Sequence, residues 1–190
     1  MMMGTNIAAV AMAAPFEEEE ESDVLLLWVL VWSELVAFGI LIGAFLVMSA
    51  FEPERFALAR LHLSPGLAAI NTVVLLTSGW QAALAVRRTA PTRQVRRSLI
   101  AAALLGFVFL AVKLFEYAGE IRYAGEETFN GFFELYFIIT GFHLLHVVFG
   151  ALVMLLIAWR PTRGNVVLIT TLWHAIDLVW IVMFPIIYLA

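Results

Sequence analysis

The chain has 190 residues, of which 63% are hydrophobic and 14% are charged, and its mean hydropathy is +0.96. No soluble globular domain needs that much apolar surface, so the composition indicates a polytopic membrane protein. The absence of cysteine excludes disulfides, thiolate metal sites and cysteine nucleophiles. Most of the net charge of -4 comes from one acidic run, residues 17–21 with Asp23. We therefore expect residues 1–23 to form an acidic cytoplasmic tail and residues 24–190 to form a single transmembrane domain.

Five windows are long and apolar enough to cross a bilayer, since a spanning helix needs roughly 20 mostly apolar residues. The runs are too long and too uniformly apolar for the strands of a membrane barrel. The sequence therefore predicts an all-α protein with five transmembrane helices. The predicted spans are 24–51, 66–86, 98–117, 132–159 and 166–189.

Arginine-rich loops predict the orientation. The loop after the second span and the loop after the fourth carry the basic residues, whereas the loop between the third and fourth spans is mainly acidic. Because basic loops stay in the cytoplasm, we expect a cytoplasmic N-terminus and an external C-terminus. The predicted location is the plasma membrane of a bacterial or archaeal type of cell. The arginines in question are Arg87, Arg88, Arg93, Arg96, Arg97, Arg160 and Arg163.

A carboxyl group lies deep in the first span. At about 1.5 Å of rise per residue, Glu34 is roughly 15 Å into that span, near the middle of the hydrocarbon core. No basic residue is adjacent to it in the sequence, and burial disfavours the charged form of a carboxyl group. Two interpretations remain open for Glu34: a neutral acid that donates one structural hydrogen bond, or a carboxyl that exchanges protons or contacts lipid.

Three histidines and an aspartate lie at similar depth in the last two spans. His143 and His146 are three residues apart and share one helix face, as do His174 and Asp177. Polar groups at this depth are costly and are normally kept for packing partners or function. Interhelical hydrogen bonding is one interpretation. Ligation of a metal or haem by imidazoles, and binding of a lipid headgroup or a partner, are the alternatives.

Other polar residues favour structural contacts. Lys113 and Glu116 are three apart in the third span and can form an ion pair, although lysine before glutamate is the less favourable order on a helix. Asn71, Thr72 and Ser78 in the second span are suited to close helix packing and interhelical hydrogen bonds. The sequence contains no Walker motif, Ser/His/Asp set or HExxH stretch, so no catalytic centre and no metal site are predicted in this chain.

Taken in order, segments of all five spans resemble subunit III of the haem–copper oxidases. The resemblance covers roughly residues 28–189, and its last two segments are the most specific. These segments are 33–39 (SELVAFG), 67–79 (LAAINTVVLLTSG), 115–117 (FEY), 140–147 (TGFHLLHV) followed by Gly150, and 173–180 (WHAIDLVW).

The resemblance implies a non-catalytic subunit that packs on a haem- and copper-bearing core subunit of the subunit I type, and on subunit II. It implies no cofactor in this chain itself, a bound phospholipid, and support of turnover and proton uptake by the core. Glu34 matches the carbodiimide-reactive carboxyl of the family. The family's partners are membrane proteins and lipids, and no nucleic acid is expected.

Some residues depart from the usual pattern of the family. Lys113 stands where glutamine is usual, and the segments 112–117 and 182–189 are more similar to the branch associated with nitric oxide reductases. The expected function is therefore subunit III of a terminal oxidase in aerobic electron transport, with an accessory subunit of a nitric oxide reductase as the alternative. A stand-alone membrane cytochrome and a proton-coupled carrier are more remote alternatives.

Overall fold

The computed structural model describes residues 5–126 and 129–190, and their side chains from residue 25 onward except at positions 26 and 130. In this part of the chain every regular element is an α-helix. The helices are α1 (Thr5–Phe51), α2 (Pro53–Arg60), α3 (Pro65–Ala85), α4 (Thr92–Glu120), α5 (Asn130–Trp159) and α6 (Arg163–Tyr188).

Five of these helices are long and apolar enough to cross a membrane. They contribute the segments Leu27–Phe51, Pro65–Ala85, Thr92–Glu120, Gly131–Trp159 and Arg163–Tyr188. The prediction of an all-α protein with five candidate membrane spans is therefore confirmed.

The third membrane helix is longer at both ends than the sequence predicted. It begins after Pro91, whose extended backbone (φ -67°, ψ 152°) ends the preceding turn, and it runs through Glu120. Arg93, Arg96 and Arg97, which were expected in a loop, therefore lie in the first two turns of α4. Hydropathy marks only the apolar centre of such a helix, because its charged ends extend beyond the hydrocarbon core.

The described chain forms two compact units, one ending at Val36 and one comprising Ala37–Ala190. The described part of the first unit is a single helical segment of α1. The second unit contains the rest of α1 and the helices α2 to α6. Within it, α3 packs on α4 and α6, and α5 also packs on α4 and α6, so the four long helices form a closed ring of neighbours.

Two glycines make room for a buried tryptophan of this ring. Trp173 on α6 is fully buried. A Cβ atom at Gly106 would lie 2.8 Å from the Trp173 ring, and one at Gly150 would lie 2.9 Å from it. Neither distance is compatible with a side chain at these positions. The small residues of α4 and α5 therefore allow the indole to fill the centre of the ring.

The short helix α2 interacts with the end of α6. Arg60 donates from Nε to the carbonyl of Ile187 (3.2 Å) and from an Nη atom to that of Ile186 (3.3 Å). The last carbonyls of a helix have no partner within the helix, and a cation is favoured there. Burial lowers the pKa of Arg60, but a guanidinium starts so high that it keeps its charge. Pro185 lies inside α6, and the helix ends three residues later at Tyr188.

Candidate functional site

A buried polar network joins α4, α5 and α6. Lys113 Nζ donates to Glu116 Oε2 (2.8 Å), to the Tyr136 hydroxyl (2.9 Å) and to the Tyr188 hydroxyl (2.8 Å). The Tyr188 hydroxyl in turn donates to Glu116 Oε1 (2.9 Å). Lys113 is fully buried and Glu116 is only 4% exposed. All three ammonium protons have acceptors, so the ion pair is compensated inside the protein. We call these four residues the Lys113 network.

Two further groups border the Lys113 network. The Tyr117 and Thr140 hydroxyls lie 2.6 Å apart and link α4 to α5. Glu120, at the end of α4, is buried and within electrostatic reach of Lys113 and Glu116. Glu120 falls within the mainly acidic loop that the sequence predicted between the third and fourth spans. The structure corrects this prediction: Glu120 is buried in the last turn of α4, because the helix continues past its apolar window.

His143 is enclosed by aromatic rings. Its imidazole stacks on Trp180, with ring centroids 5.2 Å apart, and meets the edges of Phe38 (6.1 Å) and Phe109 (5.7 Å). The residue is fully buried, and neither ring nitrogen has a hydrogen-bond partner in the described part of the chain. His143 therefore fills a hydrophobic interior position between α5 and α6.

His146, one turn further along α5, has a different environment. Its Nδ1 lies 2.7 Å from the carbonyl of Phe142, so this nitrogen carries the proton and donates it to its own helix. Its ring also meets the edge of Phe38 at 5.5 Å. The two histidines thus share the Phe38 ring, but His143 is in an aromatic enclosure and His146 is partly exposed.

His174 and Asp177 lie where α6 packs against α3. Their Nδ1 and Oδ2 atoms are 3.8 Å apart, and the His174 side chain is 46% exposed whereas that of Asp177 is 7% exposed. Gly79 of α3 faces the pair: any Cβ added there would collide with Asp177 Oδ2. Asp177 Oδ1 is buried and has no hydrogen-bond partner among the described residues. We call Gly79, His174 and Asp177 the α3–α6 seam.

Polar side chains of α3 connect it to both neighbours. Asn71 donates from Nδ2 to the carbonyl of Phe109 on α4 (3.1 Å). Ser78 donates to the Ala102 carbonyl of α4 (2.8 Å) and accepts from Trp173 Nε1 of α6 (3.1 Å). Thr72 accepts from Trp180 Nε1 (2.9 Å). These contacts are hydrogen bonds between helices, the use that the sequence favoured for the polar residues of the second span.

Within the second unit the structure brings some of the predicted site residues together. Lys113 and Glu116 belong to one network, and His174 and Asp177 to one seam, whereas Glu34 lies on α1 in the first unit. In the described part of the chain no group of three or more His, Cys, Asp or Glu side chains is placed to hold a metal ion.

Sequence reasoning missed several residues of these sites. Tyr136 and Tyr188 complete the Lys113 network, yet a tyrosine near the end of a membrane span is usually an interfacial anchor and gives no signal of such a role. In the sequence, Gly79 stands out only as the last residue of the segment 67–79. Its proximity to Asp177 depends on how α3 and α6 pack, which no local pattern specifies.

Residues 27–190 match the family model described as cytochrome c oxidase subunit III. The chain is 29% identical to cytochrome c oxidase subunit 3 of Thermostichus vulcanus, with 99% of this chain and 98% of that protein covered. It is 32% identical to cytochrome c oxidase subunit 3 of Synechocystis sp., over 75% of this chain and 63% of that protein. It is also 26% identical to the haem–copper oxidase subunit I+III of Aeropyrum pernix, over 92% of this chain and 23% of that protein.

Proposed function

Because the chain belongs to the cytochrome c oxidase subunit III family, we propose that it serves as the non-catalytic subunit III of a haem–copper terminal oxidase. The observation that carries the proposal is the extent of the family match, which runs from residue 27 to residue 190 and includes all five candidate spans. The acidic run at 17–21 lies outside the match.

The partner that we propose first is a core subunit of the subunit I type. In the relative from Aeropyrum pernix, subunits I and III carry a joint name, and this chain corresponds to 23% of that protein. A joint name for subunits I and III supports a direct contact between the two subunits. Subunit II and bound phospholipid belong to the same proposal, as does an orientation with the Arg-rich turns in the cytoplasm of a bacterial-type cell.

The interior of the chain supports a structural role. The Lys113 network is closed: the lysine's three protons and both carboxylate oxygens of Glu116 are used inside the ring of helices. Every proton of the buried ammonium has an acceptor and each carboxylate oxygen accepts one hydrogen bond, which is what a buried ion pair with a structural role requires. We propose that it fixes α4, α5 and α6 as one surface for the core subunit.

Glu34 is the residue to which we assign the carbodiimide reactivity of the family. It lies on α1 within the candidate span Leu27–Phe51. Treatment of membranes with dicyclohexylcarbodiimide, followed by mass spectrometry, is expected to find the adduct on Glu34. Glu52, which lies between α1 and α2 and outside the candidate span, is the internal control. An adduct mapped to Glu52 and not to Glu34 contradicts the assignment.

Deletion of the chain from its own organism tests the proposed role. We expect membranes without the chain to retain the reduced-minus-oxidised haem spectrum of the core and an initial oxidase rate, and to lose activity over repeated turnovers. Expression of the full chain from a plasmid should restore sustained activity. A core that keeps full activity over the same number of turnovers contradicts the supporting role.

A further inference from the structure

A second buried carboxyl group lies beside the Lys113 network. Glu120 is the last residue of α4 and is only 3% exposed. It follows Glu116 by four residues, so the two carboxyl groups lie on the same face of the helix. That face also carries Lys113, three residues before Glu116. One ammonium group and two carboxyl groups are therefore buried along one stripe of α4, and their charges do not balance if both carboxyl groups are ionised.

The ammonium group has no proton left for Glu120. All three protons of Lys113 Nζ are donated within the Lys113 network, at 2.8–2.9 Å. Both oxygens of Glu120 are buried and have no hydrogen-bond partner among the described residues. An ionised Glu120 would therefore be a buried anion without a donor, and a charge of this kind costs far more than a neutral acid in the same place.

The neighbouring elements supply no other counter-charge for Glu120 in the described part of the chain. The tyrosine hydroxyls of the Lys113 network, on α5 and α6, are neutral at ordinary pH. The Tyr117 hydroxyl of α4 is neutral as well and is paired with α5. The nearest arginines are used elsewhere. Arg60 of α2 donates to carbonyl groups at the end of α6, and the Arg122 guanidinium lies over the ring of Tyr123 (4.8 Å).

We propose that Glu116 and Glu120 together bind one proton, held as the neutral acid of Glu120. Two carboxylates that share a site both ionise only at a high cost. The acid O–H of Glu120 donates to Glu116, which lies within its electrostatic reach and whose oxygens each keep a second lone pair after accepting from Lys113 and Tyr188. The buried stripe then contains one ammonium, one carboxylate and one neutral acid, and has no net charge. This inference is independent of the proposed function.

The position of Glu120 gives the proton a route to water. Glu120 ends both α4 and its candidate span. Lys113 is seven residues earlier, roughly 10 Å deeper along the helix axis. Glu120 is thus the member of the stripe nearest to the membrane boundary, where it takes up a proton from water as the chain folds and returns it to water at high pH. Its release leaves a buried anion, so the packing of α4 against α5 and α6 becomes less stable as pH rises.

Infrared spectroscopy of the purified full-length chain tests the protonation directly. At about pH 6 a glutamate in water is ionised and gives carboxylate bands, whereas a protonated acid gives a separate carbonyl band. We expect an acid carbonyl band that shifts in deuterium oxide and loses intensity in Glu120→Gln. Glu134→Gln, at an exposed position of α5, is the matched control and should leave the band unchanged. An acid band of equal intensity in Glu120→Gln and in the unaltered chain would overturn the proposal.

The pH dependence of stability is the second measurement, made by unfolding the chain in mixed micelles with dodecyl sulfate. In the unfolded chain Glu120 ionises at a pH of about 4.3. Above that pH the folded chain holds one proton more than the unfolded chain, so the unfolding equilibrium constant rises by up to about tenfold per pH unit. Glu120→Gln keeps the shape of the neutral acid and should fold and lose this part of the pH dependence, whereas Glu134→Gln should retain it. Parallel pH profiles for Glu120→Gln and the unaltered chain, or failure of Glu120→Gln to fold, would contradict the bound proton.

Discussion

The Lys113 network and the α3–α6 seam belong to the same ring of four helices and each contains a buried carboxylate, but the polar atoms of the two sites differ in how they are paired. In the network, Lys113 Nζ has three acceptors within 2.9 Å and both Glu116 oxygens accept. In the seam, the shortest polar contact is 3.8 Å, and Asp177 Oδ1 has no hydrogen-bond partner in the described part of the chain. Burial alone therefore does not identify a functional group. The ammonium and the carboxylate of the network are paired within this chain, whereas the seam leaves one buried carboxylate oxygen of Asp177 without a partner among the described residues.

Breaking the network should have the largest effect on stability. Glu116→Ala leaves the Lys113 ammonium buried without its carboxylate, and removal of one partner of a buried ion pair costs about 3–5 kcal/mol. Unfolding of the purified chain in mixed micelles with increasing dodecyl sulfate measures the change. Glu134→Ala, at an exposed position of α5, is the control and should change stability little. Equal effects of the two substitutions would show that the network is not a major source of stability.

The second largest effect on stability should come from a steric clash in the α3–α6 seam. Gly79→Ala places a methyl group against Asp177 Oδ2, so α3 and α6 must move apart or the aspartate must rotate. Overpacking of this kind costs about 1–3 kcal/mol. The same unfolding assay applies. Gly141→Ala on α5 is the matched control, because no atom lies within 4 Å of its added Cβ. A Gly79→Ala chain as stable as the Gly141→Ala chain would contradict the close approach of α3 to Asp177.

Removal of the Asp177 carboxylate should affect assembly with the core subunit more than it affects the stability of the chain itself. We expect Asp177→Ala to lower the recovery of the haem-bearing core with the tagged chain, because the exposed His174 imidazole would lose the neighbouring carboxylate that holds it in place. The isolated chain should lose less stability than with Gly79→Ala, since Oδ1 accepts no hydrogen bond in the described part of the chain. Quantitative mass spectrometry of the recovered subunits measures the first effect. Unchanged recovery and unchanged turnover would remove the seam from the interface.

The smallest effect should come from a single interhelical hydrogen bond. Thr72→Val keeps the shape of the side chain and removes the acceptor for Trp180 Nε1, at a cost of about 0.6–1.7 kcal/mol. Thr77→Val on the same helix is the control, because Thr77 donates to its own helix at Val73 and is exposed. A shift in the unfolding midpoint for Thr72→Val but not for Thr77→Val supports the contact. Identical midpoints would show that the bond contributes nothing measurable.

Sequence patterns were sufficient to predict the membrane helices but not the contacts between those helices. Each span is a long apolar run, a property of consecutive residues, so all five could be predicted together with the family that they resemble. The short helix α2 was not predicted, since eight residues of mixed polarity give no membrane signal. Its role became visible only when Arg60 was found at the carbonyls of Ile186 and Ile187, more than 120 positions away in the chain.

For residues within one helix turn of each other, proximity can be expected from spacing alone, because a turn of α-helix fixes it. Lys113 with Glu116 and His174 with Asp177 are of this kind. Tyr188 lies 75 positions from Lys113, and Gly79 is on a different helix from Asp177. Such contacts depend on crossing angles and rotations of packed helices, which one sequence does not specify.

Affinity purification of the full-length tagged chain from its own membranes tests the subunit assignment most directly. Mass spectrometry would identify the accompanying proteins, and a reduced-minus-oxidised spectrum with metal analysis would identify their cofactors. We predict recovery of a subunit I with haem of the a or o type and copper. Recovery with a haem b and c protein that contains non-haem iron would instead place the chain in a nitric oxide reductase. Recovery alone and colourless, under conditions that keep other membrane complexes intact, would contradict the assignment.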